Sequence, residues 1–262
     1  MIICGGGRRA TLRLLLPPLA GLALLAAAPG CDRQGVGQGA SAPTTRRVVT
    51  TGPAGAGVAR GVVSFKGTPP PGEDAGGSAC HRGAPVIHVA PVEVGPGGGL
   101  RDVMVYVKDP RAVPSAAPGG PVVLDQVNCQ YVPRVLGVRV GQVLRVRSSD
   151  PAMHNVHALS RLNPALNFGM SRPGETRDVS FAAPEEFTVK CDVHPWMSAR
   201  VYVLDHPFFA VTGADGRFEI TGLPAGECEV VFSHPFLGER TRKVTAADGA
   251  AAEVDVTFEK EK

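Results

Sequence analysis

The sequence predicts an all-β protein built from two consecutive β-sandwiches. No segment after residue 58 keeps a helical period of apolar residues. Short apolar stretches alternate instead with turn clusters rich in glycine and proline, of which the chain has 33 and 24. Residues 136–141 and 143–147 alternate between apolar and polar side chains, which is the pattern of half-buried strands. Strands separated by turn clusters at short spacing are typical of sandwiches and barrels.

Residues 1–30 have the pattern of an export signal. Arg8, Arg9 and Arg13 are the only charged residues there, and residues 14–28 are apolar but interrupted by two prolines. Such a stretch is too short to span a membrane and fits a signal peptide. Small residues precede Cys31, as at a bacterial lipoprotein cleavage site, so we predict a lipid anchor there, with a leftover cysteine as the alternative. The paired arginines leave twin-arginine and ordinary export equally favoured.

Residues 31–57 are rich in Gly, Ala, Ser, Thr and Arg without an apolar period, which predicts a flexible tether. Apart from the three leader arginines, the chain carries 24 basic and 24 acidic residues. This balance gives no electrostatic reason to expect nucleic-acid binding. We therefore expect an exported protein in the periplasm or at the cell surface, tethered to a membrane, where disulfides are permitted.

Two runs of strands follow the tether. Residues 58–204 are expected to form the first domain, with 58–119 as an N-terminal extension or its first strands, and residues 161–176 are expected to be a loop. Residues 205–262 are expected to form a small second sandwich. The predicted strands are 61–67, 103–107, 122–126, 136–141, 143–147, 153–158, 179–181, 187–190 and 199–203, then 209–212, 217–220, 227–232, 240–244 and 253–258.

One loop offers three metal ligands within seven residues. Cys191, His194 and Met197 supply a thiolate, an imidazole and a thioether between the strands 187–190 and 199–203. This set suits copper, because blue-copper sites use two imidazoles, one thiolate and a weak axial thioether. The second imidazole must come from a distant strand, and His154, after the turn at Asp150, is the best candidate. Zinc is the weaker alternative, since methionine is a poor zinc ligand.

These residues resemble the cupredoxins, most closely the amicyanin type with its short ligand loop. The resemblance rests on Met153-His154-Asn155-Val156-His157 followed by Cys191-x-x-His194-x-x-Met197, and it covers about residues 120–204. It implies a Greek-key β-sandwich that holds one type 1 copper ion. It also implies that His154 binds the metal rather than His157, and that Asn155 hydrogen-bonds to the ligand loop and steadies the cysteine.

The last part of the chain resembles the carboxypeptidase regulatory-like (transthyretin-like) domains. The residues that carry this resemblance are Asp215-Gly216-x-Phe218-x-Ile220-x-x-Leu223-Pro224-x-Gly226. Those domains are usually accessory sandwiches without chemistry. The two modules in this order resemble exported proteins grouped as methylamine-utilisation proteins.

The remaining candidates have more than one interpretation. Cys80 and Cys129 are expected to form a disulfide, by compartment and elimination, although with His81 and His88 they could form a second metal site. Trp196 and Pro195 are expected to enlarge an apolar docking patch for redox partners, or Trp196 merely shields the copper. His157 is either an ordinary strand residue, a further copper ligand or a proton carrier. Cys228 is expected in the core, and His206 and His234 have no assigned role.

The function expected from this pattern is that of a one-electron carrier between redox proteins. A copper nitrite reductase or oxidase is the enzymatic alternative, but Lys190 and Asp192 flank Cys191 where multicopper oxidases place histidines, and no His-x-His pair occurs. We therefore expect no enzymatic activity. The other alternative is a non-redox copper-handling or surface-adhesion lipoprotein with a structural metal site.

Overall fold

A computed structural model describes residues 55–110 and 119–259. The predicted signal peptide, the lipidation site at Cys31 and the tether up to residue 54 lie outside this part. The all-β prediction is confirmed: 19 strands are present, and helical structure in the described ranges is limited to the short 3-10 turns Gly77–Ala79 and Pro96–Gly98. In chain order the strands are β1 Gly57–Lys66, β2 Glu73–Gly76, β3 Val86–Val89, β4 Met104–Lys108, β5 Val122–Val127, β6 Gln130–Val132, β7 Val135–Arg139, β8 Leu144–Ser148, β9 His154–Ala158, β10 Leu166–Met170, β11 Thr176–Val179, β12 Glu185–Lys190, β13 Ser198–Leu204, β14 Phe209–Val211, β15 Arg217–Leu223, β16 Gly226–His234, β17 Gly238–Ala246, β18 Ala251–Glu253 and β19 Val256–Glu259.

Strands β5 to β13 form one sandwich, which we call the central sandwich. Its two sheets have the strand orders β10-β9-β12-β13-β7 and β11-β8-β5-β6. The alternation seen in the sequence is realised in β8, where Leu144, Val146 and Ser148 are buried and the arginines between them are exposed. Removing these apolar side chains from water is the main favourable contribution to the fold. Residues 161–176 are not all loop, because β10 pairs with β9 there.

The second sandwich, which we call the flanking sandwich, is discontinuous in sequence. One sheet contains β15, β1, β18 and β19, and the other has the order β14-β4-β16-β17. Strand β1 pairs with β15 so that Ala59 lies opposite Ile220, and β4 pairs with β14 so that Tyr106 lies opposite Phe209. A separate hairpin is formed by β2 and β3.

This pairing differs from the domain boundary expected from the sequence. Residues 58–119 were expected to extend the first domain, whereas β1 and β4 belong to the same sandwich as β14 to β19. The physical reason is that β1 and β4 supply part of the hydrophobic core of the flanking sandwich. Val63 and Phe65 of β1 and Val105 of β4 are buried in one cluster with Phe218 and Phe258, which would otherwise be exposed to water. The central sandwich is thus inserted between two neighbouring strands, β4 and β14.

A small apolar cluster joins the two sandwiches. Met104 and Phe209 of the flanking sandwich pack with Val135 and Tyr202 of the central one. The Tyr202 hydroxyl also hydrogen-bonds to Ser233 Oγ at 3.0 Å. This junction lies on β7 and β13, so the ligand loop at the start of β13 is built on a strand that is packed on both sides.

Candidate metal centre

The ligand loop is a tight connection between two paired strands. The pairing of β12 with β13 runs up to Lys190 opposite Ser198, immediately outside the loop. The Cys191 N–H donates to the Met197 carbonyl (3.1 Å), and the Met197 N–H donates to the His194 carbonyl (2.9 Å). These bonds close residues 191–197 into a compact turn that carries three of the candidate ligands.

His154 reaches the loop from the neighbouring strand. It is the first residue of β9, which pairs with β12 so that His157 lies opposite Lys190. The Nδ1 atoms of His154 and His194 are 3.0 Å apart, and Cys191 Sγ is 3.7 Å from His194 Nδ1. One ligand atom from each of these three residues lies within 4.8 Å of the others.

All four predicted ligands are buried. The exposed fraction is 0% for His154, 2% for Cys191, 4% for His194 and 1% for Met197. Met197 and Cys191 belong to the same apolar cluster of the central sandwich. The donors are therefore enclosed by the end of the core, with little access for water.

Burial and hydrogen bonding act in opposite directions on the charges of this cluster. Burial disfavours the Cys191 thiolate, but hydrogen bonds from His154 and from the backbone N–H groups of Asn155, His194 and Val193 outweigh it and lower the pKa of that thiol. Burial also disfavours protonation of His154, yet its contacts with Cys191 and Asp150 prevail and raise its pKa. Burial and the neighbouring His154 lower the pKa of His194.

Asn155 links β9 to the ligand loop. Its Nδ2 donates to Asp192 Oδ2 (2.9 Å), and its Oδ1 accepts from the Asp192 backbone N–H (2.6 Å). The Tyr131 hydroxyl donates to the Asn155 carbonyl on the other side (2.5 Å). These contacts tie Asp192, the residue after Cys191, to strand β9.

His157 is engaged away from the cluster. Its Nδ1 lies 3.0 Å from Asp192 Oδ2, and Lys190 Nζ lies 3.0 Å from Asp192 Oδ1. Hydrogen bonds from Lys190, His157 and Asn155 lower the pKa of Asp192. Among the described residues, the group of potential ligands around Cys191 contains His154 and His194 but not His157.

Trp196 packs against the loop histidine instead of pointing into solvent. Its ring centroid is 5.2 Å from that of His194, and its Nε1 donates to the Cys129 carbonyl (2.9 Å), so the residue is half-buried. Pro195 is exposed. Met153 and Val193, next to His154 and His194 in sequence, are 52% and 50% exposed and were not singled out from the sequence. The local sequence pattern does not predict that these two side chains are exposed.

Cys80 and Cys129 are joined by a disulfide, with Cα atoms 6.3 Å apart. Among the described residues, the groups of potential metal ligands do not contain His81 or His88. Cys80 and Cys129 lie close to Asp150 and His154, but their disulfide leaves no thiolate for a metal. The disulfide lies beside the candidate metal centre. Cys228 is half-buried in the flanking sandwich, where burial raises the pKa of its thiol.

Asp150 is the residue of this centre that sequence reasoning missed. It is 3% exposed, and its Oδ2 lies 3.0 Å from His154 Nε2. Its carboxylate also accepts the backbone N–H groups of Asn128 (2.7 Å) and Cys129 (2.8 Å). Asp before Pro normally marks an exposed turn, so the only signal was its spacing of four residues before His154.

Within residues 55–110 and 119–259, no helix has the length and apolar character needed to cross a membrane. Residues 192–259 match the family model of the carboxypeptidase regulatory-like domain. This range starts inside the ligand loop and includes β13 of the central sandwich, while β1 and β4 of the flanking sandwich precede it. The chain matches no curated protein.

Solved structures similar to this chain are cupredoxins and a copper enzyme. A reduced amicyanin mutant is 25% identical, with 35% of this chain and 96% of that chain covered and a TM-score of 0.30. A purple cupredoxin from Nitrosopumilus maritimus is 19% identical, with 32% and 99% covered and a TM-score of 0.27.

The Cu-containing nitrite reductase from Thermus scotoductus is 23% identical, with a TM-score of 0.30. The match covers 36% of this chain but only 25% of the reductase. The solved structures similar to about a third of this chain thus include cupredoxins, and residues 192–259 match the carboxypeptidase regulatory-like model.

Proposed function

We propose that this protein is an exported type 1 copper protein that carries single electrons between redox partners. The observation that carries the proposal is the buried convergence of Cys191, His154 and His194, whose ligand atoms lie within 4.8 Å of one another. One copper ion bound there would supply a couple between Cu(I) and Cu(II). The chain itself supplies the donors and keeps water away from them.

The donor set favours copper over zinc. Two imidazoles and one thiolate with a methionine on the same loop are the ligands of blue-copper sites. Structural zinc sites are usually completed by a fourth Cys or His. Here Asp150 lies close to the cluster, but it contacts His154 Nε2 and not the Nδ1 atom that faces His194.

Rigid ligand positions favour electron transfer, because little must rearrange when the metal charge changes. Main-chain bonds tie Cys191 to Met197 and Met197 to His194. Asn155 ties β9 to the loop through Asp192. The three ligand positions on the loop are thus held by main-chain hydrogen bonds that do not involve a metal, which supports an arrangement imposed by the protein.

A redox protein is the proposed partner, docking on exposed apolar residues that are sequence neighbours of the two clustered histidines. Met153 and Val193 are about half exposed, at 52% and 50%, and Pro195 is exposed. Trp196 packs against His194 and connects this surface to the cluster. Exposed apolar groups of this kind favour association with a partner surface of similar character.

An electron carrier fits the surroundings of Cys191 better than an oxidase or reductase. Its neighbours are Lys190 and Asp192, which have no imidazole for a second metal and which form an ion pair with each other at 3.0 Å. His157, the nearest further imidazole on β9, is hydrogen-bonded to Asp192. Export and a lipid tether at Cys31 complete the proposal, and the Cys80–Cys129 disulfide supports an oxidising compartment.

The test is to add Cu(II) to the purified protein and record visible and EPR spectra. We expect an intense thiolate-to-copper band in the wild type and in Cys228→Ala, the matched control that removes the other free thiol of residues 55–110 and 119–259. Cys191→Ala should lose the band. Folded protein that binds copper without the band would reject the electron carrier and favour a copper-handling or adhesion protein with a structural site.

A further inference from the structure

Asp150 is a buried carboxylate directly behind a proposed metal ligand. Its Oδ2 lies 3.0 Å from His154 Nε2, while His154 Nδ1 points the other way, to within 3.0 Å of His194 Nδ1. Both residues are almost free of solvent contact, at 3% and 0% exposure. The imidazole of His154 is therefore held between a carboxylate on one side and the ligand cluster on the other.

The position of Asp150 is set by the chain. Asn128 and Cys129, in the turn between β5 and β6, both have positive φ angles of 53° and 56°. Consecutive left-handed residues direct their N–H groups to one side and form an anion-binding concavity. Asn128 N–H donates to Oδ1 and Cys129 N–H to Oδ2, and Cys129 is further fixed by its disulfide to Cys80.

This contact selects one nitrogen of His154 for the metal. A carboxylate can only accept hydrogen bonds, so Nε2 of His154 must carry the proton at the 3.0 Å contact. An imidazole that binds a metal is neutral, so with the proton on Nε2 the lone pair for the metal is on Nδ1. That nitrogen is the one that faces His194, so Asp150 leaves the correct atom available for coordination.

We propose that Asp150 is a positioning residue that fixes the ligand nitrogen of His154 and favours Cu(II) over Cu(I) through its negative charge. This inference rests on the proposed copper site. A carboxylate hydrogen-bonded to a ligand imidazole makes that ligand more basic. A more basic ligand and a nearby negative charge both stabilise the more highly charged ion, so Asp150 lowers the reduction potential.

The test compares Asp150→Asn and Asp150→Ala with Asp125→Asn. The asparagine keeps a neutral oxygen for His154 Nε2–H, whereas alanine removes the acceptor. Asp125 is the matched control, because it is also buried (7% exposed) and in the central sandwich, but it pairs with Arg147 and Ser149. The measurements are the reduction potential, the copper affinity and the NMR signal of His154 Nε2–H in metal-free protein.

We expect Asp150→Asn to keep the thiolate band but to shift the preference towards Cu(I) at least about tenfold, which is about 59 mV in potential. Asp150→Ala should bind copper about 10 to 100-fold more weakly and should lose the slowly exchanging Nε2–H signal. Asp125→Asn should retain the signal, with a smaller change in potential. If Asp150→Ala fails to fold, Asp150→Asn alone decides the effect on potential.

Equal shifts of potential in Asp150→Asn and Asp125→Asn would overturn the proposal. It would also fail if the wild type lacked the Nε2–H signal, since that would remove the contact itself. A wild type that shows the signal but no thiolate band with copper would instead reject the proposed function. The failures of the two proposals can therefore be told apart.

Discussion

The central and flanking sandwiches each bury two histidines, and only one of the two pairs forms a candidate site. His154, His194, His206 and His234 are at most 4% exposed. In the central sandwich the two Nδ1 atoms face each other at 3.0 Å beside a cysteine. In the flanking sandwich each Nδ1 accepts backbone N–H groups instead. Burial alone therefore does not distinguish the two pairs. They differ in what their Nδ1 atoms face, which is the other histidine in the central sandwich and backbone N–H groups in the flanking one.

The histidines of the flanking sandwich complete turns. His206 Nδ1 accepts the N–H of Phe208 (3.1 Å), and His234 Nδ1 accepts those of Phe236 (3.1 Å) and Leu237 (3.2 Å). Each histidine precedes a proline, which has no N–H, and the ring satisfies the next donors along the chain. Burial lowers the pKa of both rings, so they remain neutral acceptors.

The largest expected difference comes from removing one histidine of each pair. His154→Ala should abolish the thiolate band with copper, because a first ligand is lost. His234→Ala should keep the band but lose about 1–3 kcal/mol of unfolding free energy, since buried N–H groups lose their acceptor. Visible spectra and urea unfolding of both variants measure this. Loss of the band in folded His234→Ala would contradict the comparison.

The second prediction concerns pH. Burial lowers the pKa of His234 to about 4, from an ordinary value of 6.5. A base whose pKa falls on folding stabilises the fold fully above its unfolded value, so this contribution is present above about pH 6.5 and is lost as pH falls towards 4. The complete loss corresponds to roughly 3 kcal/mol.

Urea unfolding between pH 7 and pH 4 of the wild type and of His234→Asn measures this contribution. The asparagine oxygen can take the place of Nδ1 as acceptor but does not titrate. The variant should therefore lose less unfolding free energy than the wild type over this interval. Parallel pH profiles of the two proteins would show that His234 is not the group responsible.

The ligand loop could be predicted from the sequence because its geometry is local. Cys191, His194 and Met197 lie within seven residues, and the flanking strands pair directly with each other. His154 was the best candidate from its place after a turn, and the resemblance favoured it over His157, but its position near the loop depends on the pairing of β9 with β12. The pairing of Cys80 with Cys129 followed from elimination, and the structure joins these two residues.

The local sequence could not predict that β1 and β4 belong to the flanking sandwich. The period of two identifies a strand but not its partner, and β1 pairs with residues far along the chain, such as Ala59 with Ile220. Asp150 was missed for a related reason. Its burial depends on the turn at Asn128 and Cys129, which is adjacent only in the fold.

The third prediction tests how the two sandwiches fit together. A Cβ added at Gly137 of β7 would lie 2.4 Å from the buried ring of Phe209 in β14. Gly137→Ala should therefore cost about 1–3 kcal/mol through overpacking. Gly119→Ala is the matched control, because a Cβ there meets nothing within 4 Å. Urea unfolding measures the free energy of unfolding of both variants. Equal values would contradict this prediction, because the junction would then accommodate the added methyl group without loss of stability.

The smallest expected effect comes from the single hydrogen bond across the same junction. Tyr202, 2% exposed, donates to Ser233 Oγ at 3.0 Å. Tyr202→Phe should lower the unfolding free energy by about 1 kcal/mol. Tyr106→Phe, in a half-buried neighbour with its ring centroid 6.3 Å away, is the control and should cost less.

The two tyrosine variants also show whether the sandwiches unfold as one unit. If they do, Tyr202→Phe shifts the urea midpoints of the visible copper band and of far-UV circular dichroism by the same amount, with unchanged slopes. If the visible midpoint stays in place while the other moves, the central sandwich unfolds independently. The two sandwiches would then differ in stability as well as in what their buried histidines contact.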